Sequence, residues 1–335
     1  MKKWPMLWLV AILIGILTLS GCGTKSEKAV VQDLGNKLDK MNSYQTDATM
    51  TFEHNGKKQK YQANITFKKP YYYRVALSDS KKQNQQMILR NANGVFVLTP
   101  QLNKSYQFES NWPNNRSQAY LYNTLVKDIV NDPNPNFKVK ENQYVFDTKT
   151  NYNTTQLANQ TITLNKNLAP QKVQVKDKDQ NIVVTVVFKN FKFNPNLDKK
   201  TFDVKKNMTA AKIKATESAT ASNTPFKVQY PTAKIGGTKL SLMKPEVTET
   251  GEKYILKYAG KKPFTLIESQ SRQNMTVAPT LAAGDPANLG FAIGAVSNQT
   301  LSWSYGGTDY YLASNAMTQD ELITVAQSVN GNVVK

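Results

Sequence analysis

Apolar and polar residues alternate through much of the first two hundred positions. Ala48, Met50 and Phe52 alternate with Thr49 and Thr51, and Tyr61, Ala63, Ile65 and Phe67 alternate with Gln62, Asn64, Thr66 and Lys68. A period of two turns one set toward a core and the other toward water, the habit of antiparallel sheets. Asn55-Gly56 between the two runs predicts a hairpin. Beyond Pro70, Tyr71, Tyr73, Val75 and Leu77 continue one face while Tyr72, Arg74 and Ala76 take the other. Further strands are expected at QMILR, GVFVLTP, KSYQFES, FKVK, QYVFDT, QTITLN, QKVQV and NIVVTVVFKNF. The last is apolar on both faces through Val187, which predicts a central or helix-covered strand.

Two helices interrupt this pattern. Val30, Val31, Leu34, Leu38 and Met41 fall at helical spacing, with Thr24 and Glu27 as a candidate capping box. Leu121, Leu125 and Ile129 form a second stripe beside Tyr122 and Val126, and the prolines of NDPNPN stop it. The sum is α+β: a strongly curved antiparallel sheet with helices on its concave face, because a sheet of so many strands must curl. A hollow under such helices suits a small molecule with a large apolar part.

The stretch 205–224 is rich in Ala, Thr and Ser and nearly lacks large apolar residues, so it reads as a linker. Residues 225–335 then read as a smaller α+β domain. TKLSLMKPEVTETGEKYILKYAGKKPFTLIESQS supplies three strands, SWSYGGTDYYL a hairpin around Gly306-Gly307, and Thr318-x-x-Glu321 the capping box of a terminal helix.

The N-terminus sets the compartment. Residues 1–21 carry MKK, an apolar run from Trp4 to Leu19 and then LSGC, the layout of a signal peptide too short to span a bilayer. The run ending at Cys22 resembles the lipobox of bacterial lipoproteins. That resemblance implies covalent diacylglycerol, and an N-acyl chain, on Cys22. It also implies a tether over 22–28 and residence on the outer face of the cytoplasmic membrane. Two acyl chains anchor stably where one does not. Cys22 is the only cysteine, so no intrachain disulfide forms. Export changes the meaning of the formal net charge of +19. Nucleic acid is removed as a partner, and anionic headgroups, anionic wall polymers or an envelope protein take its place.

Three ordered stretches, ITFKKPYYYRV, MILRNANGVFVLTPQLNKSYQ and LAPQKVQVKDKDQNIVVTVVFKNFKFNPNLDKKTFDV, resemble the LolA/LolB-like lipoprotein carriers and their Gram-positive membrane lipoprotein relatives, including sporulation and germination lipoproteins. The resemblance covers most of residues 29–204. It implies a half-open barrel holding an acyl chain, with Phe67, Lys69, Tyr71, Tyr73, Arg74 and Phe96 as candidate ligand-binding residues. Met50, Met87 and Phe52 are further candidates for the lining. Lys69 stands where the carriers often have Arg before the corner proline; it keeps the charge and loses the planar fork. LSWSYGGTDYYL followed by TQDELITVAQSV resembles a C-terminal domain of unknown function found in Gram-positive envelope lipoproteins.

Catalytic chemistry is sparse. His54 is the only histidine, so no ordinary zinc site can be assembled, a Ser-His-Asp triad would have to recruit His54 from a hairpin tip, and no P-loop or dinucleotide fingerprint is present. Asp128 with Asp132, or Glu249 with Glu252, would be the carboxylate pairs of a wall hydrolase. The expectation is a binding protein with no metal and no cofactor beyond the Cys22 lipid. It takes an acyl chain in its hollow or, alternatively, docks a partner protein or anionic wall polymer without a small ligand.

Overall fold

A computed structural model describes residues 25–54, 57–79, 85–115, 118–152, 157, 159–218, 227–248, 251–271 and 279–329. Cys22, Thr24, Asn55-Gly56 and Glu249 lie outside the described residues. Helix α1 (Glu27–Lys40) opens the fold and buries Val30 and Leu34. Its N-cap is Ser26, whose Oγ accepts from the Ala29 amide. This differs from the Thr24 capping box, because a helix that begins at Glu27 needs its cap immediately before it.

Strands β1 (Ser43–His54), β2 (Lys57–Lys68), β3 (Tyr72–Asp79), β4 (Gln85–Asn91), β5 (Gly94–Thr99) and β6 (Lys104–Phe108) form an antiparallel meander. Helix α2 (Tyr122–Asn131) follows, then β7 (Asn136–Lys140), β8 (Gln143–Lys149), β9 (Asn159–Asn165), β10 (Pro170–Lys176) and β11 (Ile182–Phe193). β11 returns to pair with β1 and so sits centrally, as its apolar composition predicts. Its second face at Val187 is exposed, with no helix over it among the described residues. The ladder is open, with no bond between its two edges among the described residues.

The sheet is nevertheless curled. Val97 of β5 and Phe146 of β8, far apart in strand order, belong to one buried cluster with Leu34 of α1 and Leu125 of α2. Both helices therefore lie against one inner face.

The Ala/Thr/Ser-rich stretch expected as a linker is helical over its first part. Helix α3 (Val204–Ser218) lays Met208 and Ala211 on Ala76, Met87, Leu89, Phe96 and Leu98, the outer face of β3–β5. Composition misled here because Ala and Lys favour helix, and a single fully buried Met on a short stripe is enough to dock one.

A second sheet follows, built from β12 (Lys239–Thr248), β13 (Gly251–Ala259), β14 (Phe264–Gln270), β16 (Asp285–Asn288), β17 (Ile293–Val296), β18 (Thr300–Tyr305) and β19 (Thr308–Ala313). Helix α4 (Gln319–Val329) packs on it through Leu322, Val325, Ala326 and Val329. Its capping box is closed on both sides: Glu321 N donates to Thr318 Oγ1, and Thr318 N donates to Glu321 Oε2. The short strand β15 (Thr280–Ala282) leaves this unit and pairs parallel with β6, extending the first sheet to twelve strands.

Candidate functional site

The inner face of the first sheet carries a connected set of aromatic rings. Tyr44 on β1 sits 5.3 Å from Phe67 on β2, Phe67 4.7 Å from Tyr73 on β3, and Tyr73 5.7 Å from Trp112, measured between ring centroids. From α2, Tyr122 reaches Tyr44 at 6.0 Å and both Phe191 and Phe193 at 5.4 Å. Sequence alternation puts these rings on one face, and register places them side by side: Tyr44 pairs with Phe67 and Phe67 with Tyr73. Tyr44, Phe67, Trp112 and Tyr122 are fully buried. Burial pushes the Tyr44, Tyr73 and Tyr122 phenols well above their usual range, so all three stay protonated.

The C-terminal unit closes the rest of this face. Ile293 of β17 is buried in the same cluster as Ile88, Val95 and Val97. Its backbone amide donates to Gln86 Oε1 at 2.6 Å, and Gln86 Nε2 donates to Thr99 Oγ1 at 3.1 Å and Ser304 O at 3.3 Å. Gly290 lies against the ring of Phe52, and Phe52 and Tyr61 of the first sheet pack into the core of the second. The side expected to be a hollow carries buried side chains from α1, α2, the loop bearing Trp112 and the β16–β17 hairpin.

The six candidate ligand residues do not converge. Phe67 and Tyr73 are buried on the inner face. Phe96 is buried on the outer face under α3, together with Met87, whereas Met50 is on the inner face. Arg74 is also on the outer side: its Nε donates to Asn207 Oδ1 of α3 at 2.7 Å and its Nη1 to Asn64 Oδ1 at 2.9 Å. Burial lowers the Arg74 guanidinium from its ordinary value. Tyr71 is exposed and stacks on Tyr72 at 5.0 Å. Lys69, ahead of a cis bond to Pro70, donates to the Asp39 carbonyl at the end of α1. Alternation assigns faces within one strand, but β4–β5 register sets Phe96 opposite Leu89, which points outward.

The corner around Lys69 is strongly basic. Lys68 Nζ donates to Leu197 O at 2.7 Å, Lys37 lies 4.3 Å over the Phe193 ring, and Lys199 lies 5.7 Å over Tyr72. A groove of about 460 Å³ beside it is lined by Asp203, Lys205, Lys206, Thr209 and Ala210.

Of the carboxylates weighed for hydrolysis, Asp128 and Asp132 have structural partners. Asp128 Oδ2 accepts from Gln160 Nε2 at 2.8 Å, while Asp132 accepts from the Asn134 and Lys149 amides. No group of three or more His, Cys, Asp or Glu is placed to hold a metal ion among the described residues. Nor is any helix among them long and apolar enough to cross a membrane. Sequence reasoning missed Trp112, Gln86, Lys104 and Ile293. Gln86 and Lys104 were detectable as polar residues at inward strand positions, where alternation calls for apolar ones.

Comparison with known proteins gives the family. Residues 2–202 match the family described as "Sporulation protein YdcC-like". The chain is similar to sporulation protein YdcC of Bacillus subtilis (strain 168), 45% identical over 325 residues, covering 96% of each chain. Among solved structures, the MucA/MucB complex of Pseudomonas aeruginosa is 11% identical, covers 89% of this chain and 96% of that chain, and has a TM-score of 0.32. The structure of the CwlD amidase from Clostridioides difficile with the GerS lipoprotein is 18% identical, covers 52% and 99%, and has a TM-score of 0.32. A LolA superfamily protein from Nitrosomonas europaea is 13% identical, covers 52% and 97%, and has a TM-score of 0.30. Likenesses at those TM-scores carry no weight for activity or partner. Identity along nearly its whole length, together with the matched residues of the first sheet, makes this chain a member of the YdcC-like family of sporulation proteins.

Proposed function

We propose that the protein is a non-enzymatic, lipid-anchored binding protein of the cell envelope that serves spore formation by docking a partner on its surface, rather than by carrying an acyl chain inside. The observation that carries this reading is the occupied inner face. Tyr44, Phe67, Tyr73, Trp112 and Tyr122 fill one end, and Ile293 of the C-terminal unit is buried at the other. An acyl chain would have to displace a close-packed aromatic cluster or withdraw the β16–β17 hairpin together with the Gln86 bonds. The resemblance of the run ending at Cys22 to a lipobox supports the anchor, and the likeness to the B. subtilis sporulation protein supports the role in spore formation.

The test compares the two occupants directly. Photo-crosslinkers placed at exposed Leu242 and Tyr311 should trap a protein partner in sporulating cells, while lipid extraction of the purified protein should yield no stoichiometric acyl ligand. A tightly bound lipid, released only when the C-terminal unit is cut away, would reverse the assignment.

A further inference from the structure

One end of the first sheet gathers lysines that have no carboxylate partner among the described residues. The C-terminus of α1, the β2–β3 corner and the segment after β11 meet there, bringing together Lys37, Lys40, Lys68, Lys69, Lys199 and Lys200. Among the described residues the ion pairs lie elsewhere, at Lys25, Lys58, Lys104, Lys176, Lys244, Lys253 and Lys262. Lys68 and Lys69 are held by backbone carbonyls, and Lys37 and Lys199 by aromatic faces, so their charge is oriented but not neutralised. The acids of this end are Asp39, Asp198 and Asp203, and the last two cap the amides of Lys200 and Lys206. Exposed Pro70 and Tyr71 project beside the lysines.

Helix α1 links this corner to the proposed anchor. Lys28, Gln32, Asn36 and Lys40 are all exposed and fall at four-residue spacing, so they form a stripe along one side of the helix, with Asp39 as the exposed acid on the same side. The stripe runs about 20 Å, the length of a fourteen-residue helix. Only four residues separate Cys22 from Glu27. A chain held at Cys22 can therefore lie with α1 along a surface and the basic corner upon it.

We propose that this corner, with the α1 stripe, is a docking surface for anionic lipid headgroups, seating the protein flat on the membrane that holds its anchor. Lysines supply attraction to a negative leaflet, and Tyr71 supplies an amphipathic ring at headgroup depth. An exposed tyrosine among lysines favours the bilayer over a soluble polyanion, which offers no apolar layer for the ring. Flat seating fixes which faces look outward: those not carrying the corner.

The inference rests on the reading of Cys22 as a lipid anchor. Mass spectrometry of Cys22 tests that reading by itself. The docking experiment uses the processed protein, residues 22–335, with Cys22→Ser, so that no covalent lipid contributes. Flotation with vesicles of phosphatidylcholine and phosphatidylglycerol (3:1) should retain the protein, and pure phosphatidylcholine should not. Lys40→Gln, Lys199→Gln and Lys200→Gln together remove three exposed charges without touching the Lys68 or Lys69 bonds. At about fivefold per lysine near an anionic surface, the triple variant should bind at least tenfold more weakly. Lys60→Gln, Lys172→Gln and Lys257→Gln remove the same charge from other exposed sites and should change binding by less than threefold. Tyr71→Trp should add indole fluorescence quenched by brominated lipid. Equal losses in both triple variants would overturn the proposal, as would binding to an anionic wall polymer without binding to the vesicles, or an unquenched Tyr71→Trp indole.

Discussion

Lys104 and Asp309 form a bidentate ion pair between the two sheets: Lys104 Nζ lies 2.8 Å from Oδ1 and 2.6 Å from Oδ2. The lysine side chain is 8% exposed and the aspartate 31%. Asp309 Oδ1 also accepts from Ser271 Oγ at 2.6 Å and Ser304 Oγ at 2.5 Å. Removing the carboxylate leaves a buried ammonium without its counter-charge. Asp309→Ala should therefore cost about 2–4 kcal/mol, less than a fully buried pair because Asp309 is partly solvated. Lys104→Met should cost less, since the serines remain as donors, and a double-mutant cycle in urea should show the two losses to be non-additive.

Gly290 has φ of +88°, and a Cβ built there would lie 3.0 Å from Phe52 Cγ. Gly290→Ala adds backbone strain and pushes on the ring that bridges the two cores. Thermal melts should show a loss of about 1–3 kcal/mol. Adding Phe52→Ala relieves the crowding, so the glycine substitution should cost measurably less in that background.

Asn207 ties α3 to the first sheet. Its Oδ1 accepts from Arg74 Nε, and its Nδ2 donates to Thr201 O at 2.9 Å and Asp203 O at 2.8 Å. Asn207→Leu leaves the partly buried Arg74 with one side-chain oxygen partner fewer, at a cost of about 1–3 kcal/mol. Hydrogen exchange provides the readout. Amides of residues 208–211 should be protected in the parent protein and lose protection in the variant.

Glu268 is buried in the C-terminal core, and its Oε2 accepts a hydrogen bond from Gln229 N at 2.9 Å. Burial pushes its carboxyl from 4.5 to about 7, against the opposing effect of that bond. The folded state therefore favours the protonated acid. Its stabilising contribution is complete below pH 4.5 and is lost as pH rises through about 7. Glu268→Gln keeps an acceptor for Gln229 and removes the charge. At pH 8 it should be more stable than the parent by about 1–3 kcal/mol, and at pH 5 nearly equal to it, as measured by urea unfolding across pH.

Much of the first sheet was legible because an antiparallel strand writes its two faces into alternate residues. Ala48, Met50, Ala63, Ile65 and Phe67 alternate as read, and all are buried. The capping box at Thr318 and Glu321 and the stripe of α2 were equally local, fixed by hydrogen-bond reach and helical spacing. The candidate site was legible only in part. Alternation correctly separated Phe67 and Tyr73 from Arg74, yet it could not say that Phe96 and Met87 join the outer face, because that depends on the register between strands. The filling of the inner face was beyond it too. Ile293 stands more than two hundred positions from Ile88, and no local pattern marks that they share a core.

Most strands, the helices α1, α2 and α4, the Thr318–Glu321 cap, the basic character of the chain and the lipobox-like ending at Cys22 are written locally along the chain. These depend on periodicity, side-chain reach and residue identity within a few positions. Tertiary structure alone decided that α3 docks where a linker was expected, that the C-terminal unit occupies the inner face, and that the lysines of three distant segments meet at one corner. The physical reason is that burial is a property of surfaces brought together. A short stripe such as Met208 and Ala211 acquires a partner only when the outer face of β3–β5 presents one, and a lysine becomes part of a docking surface only when chain topology puts others beside it.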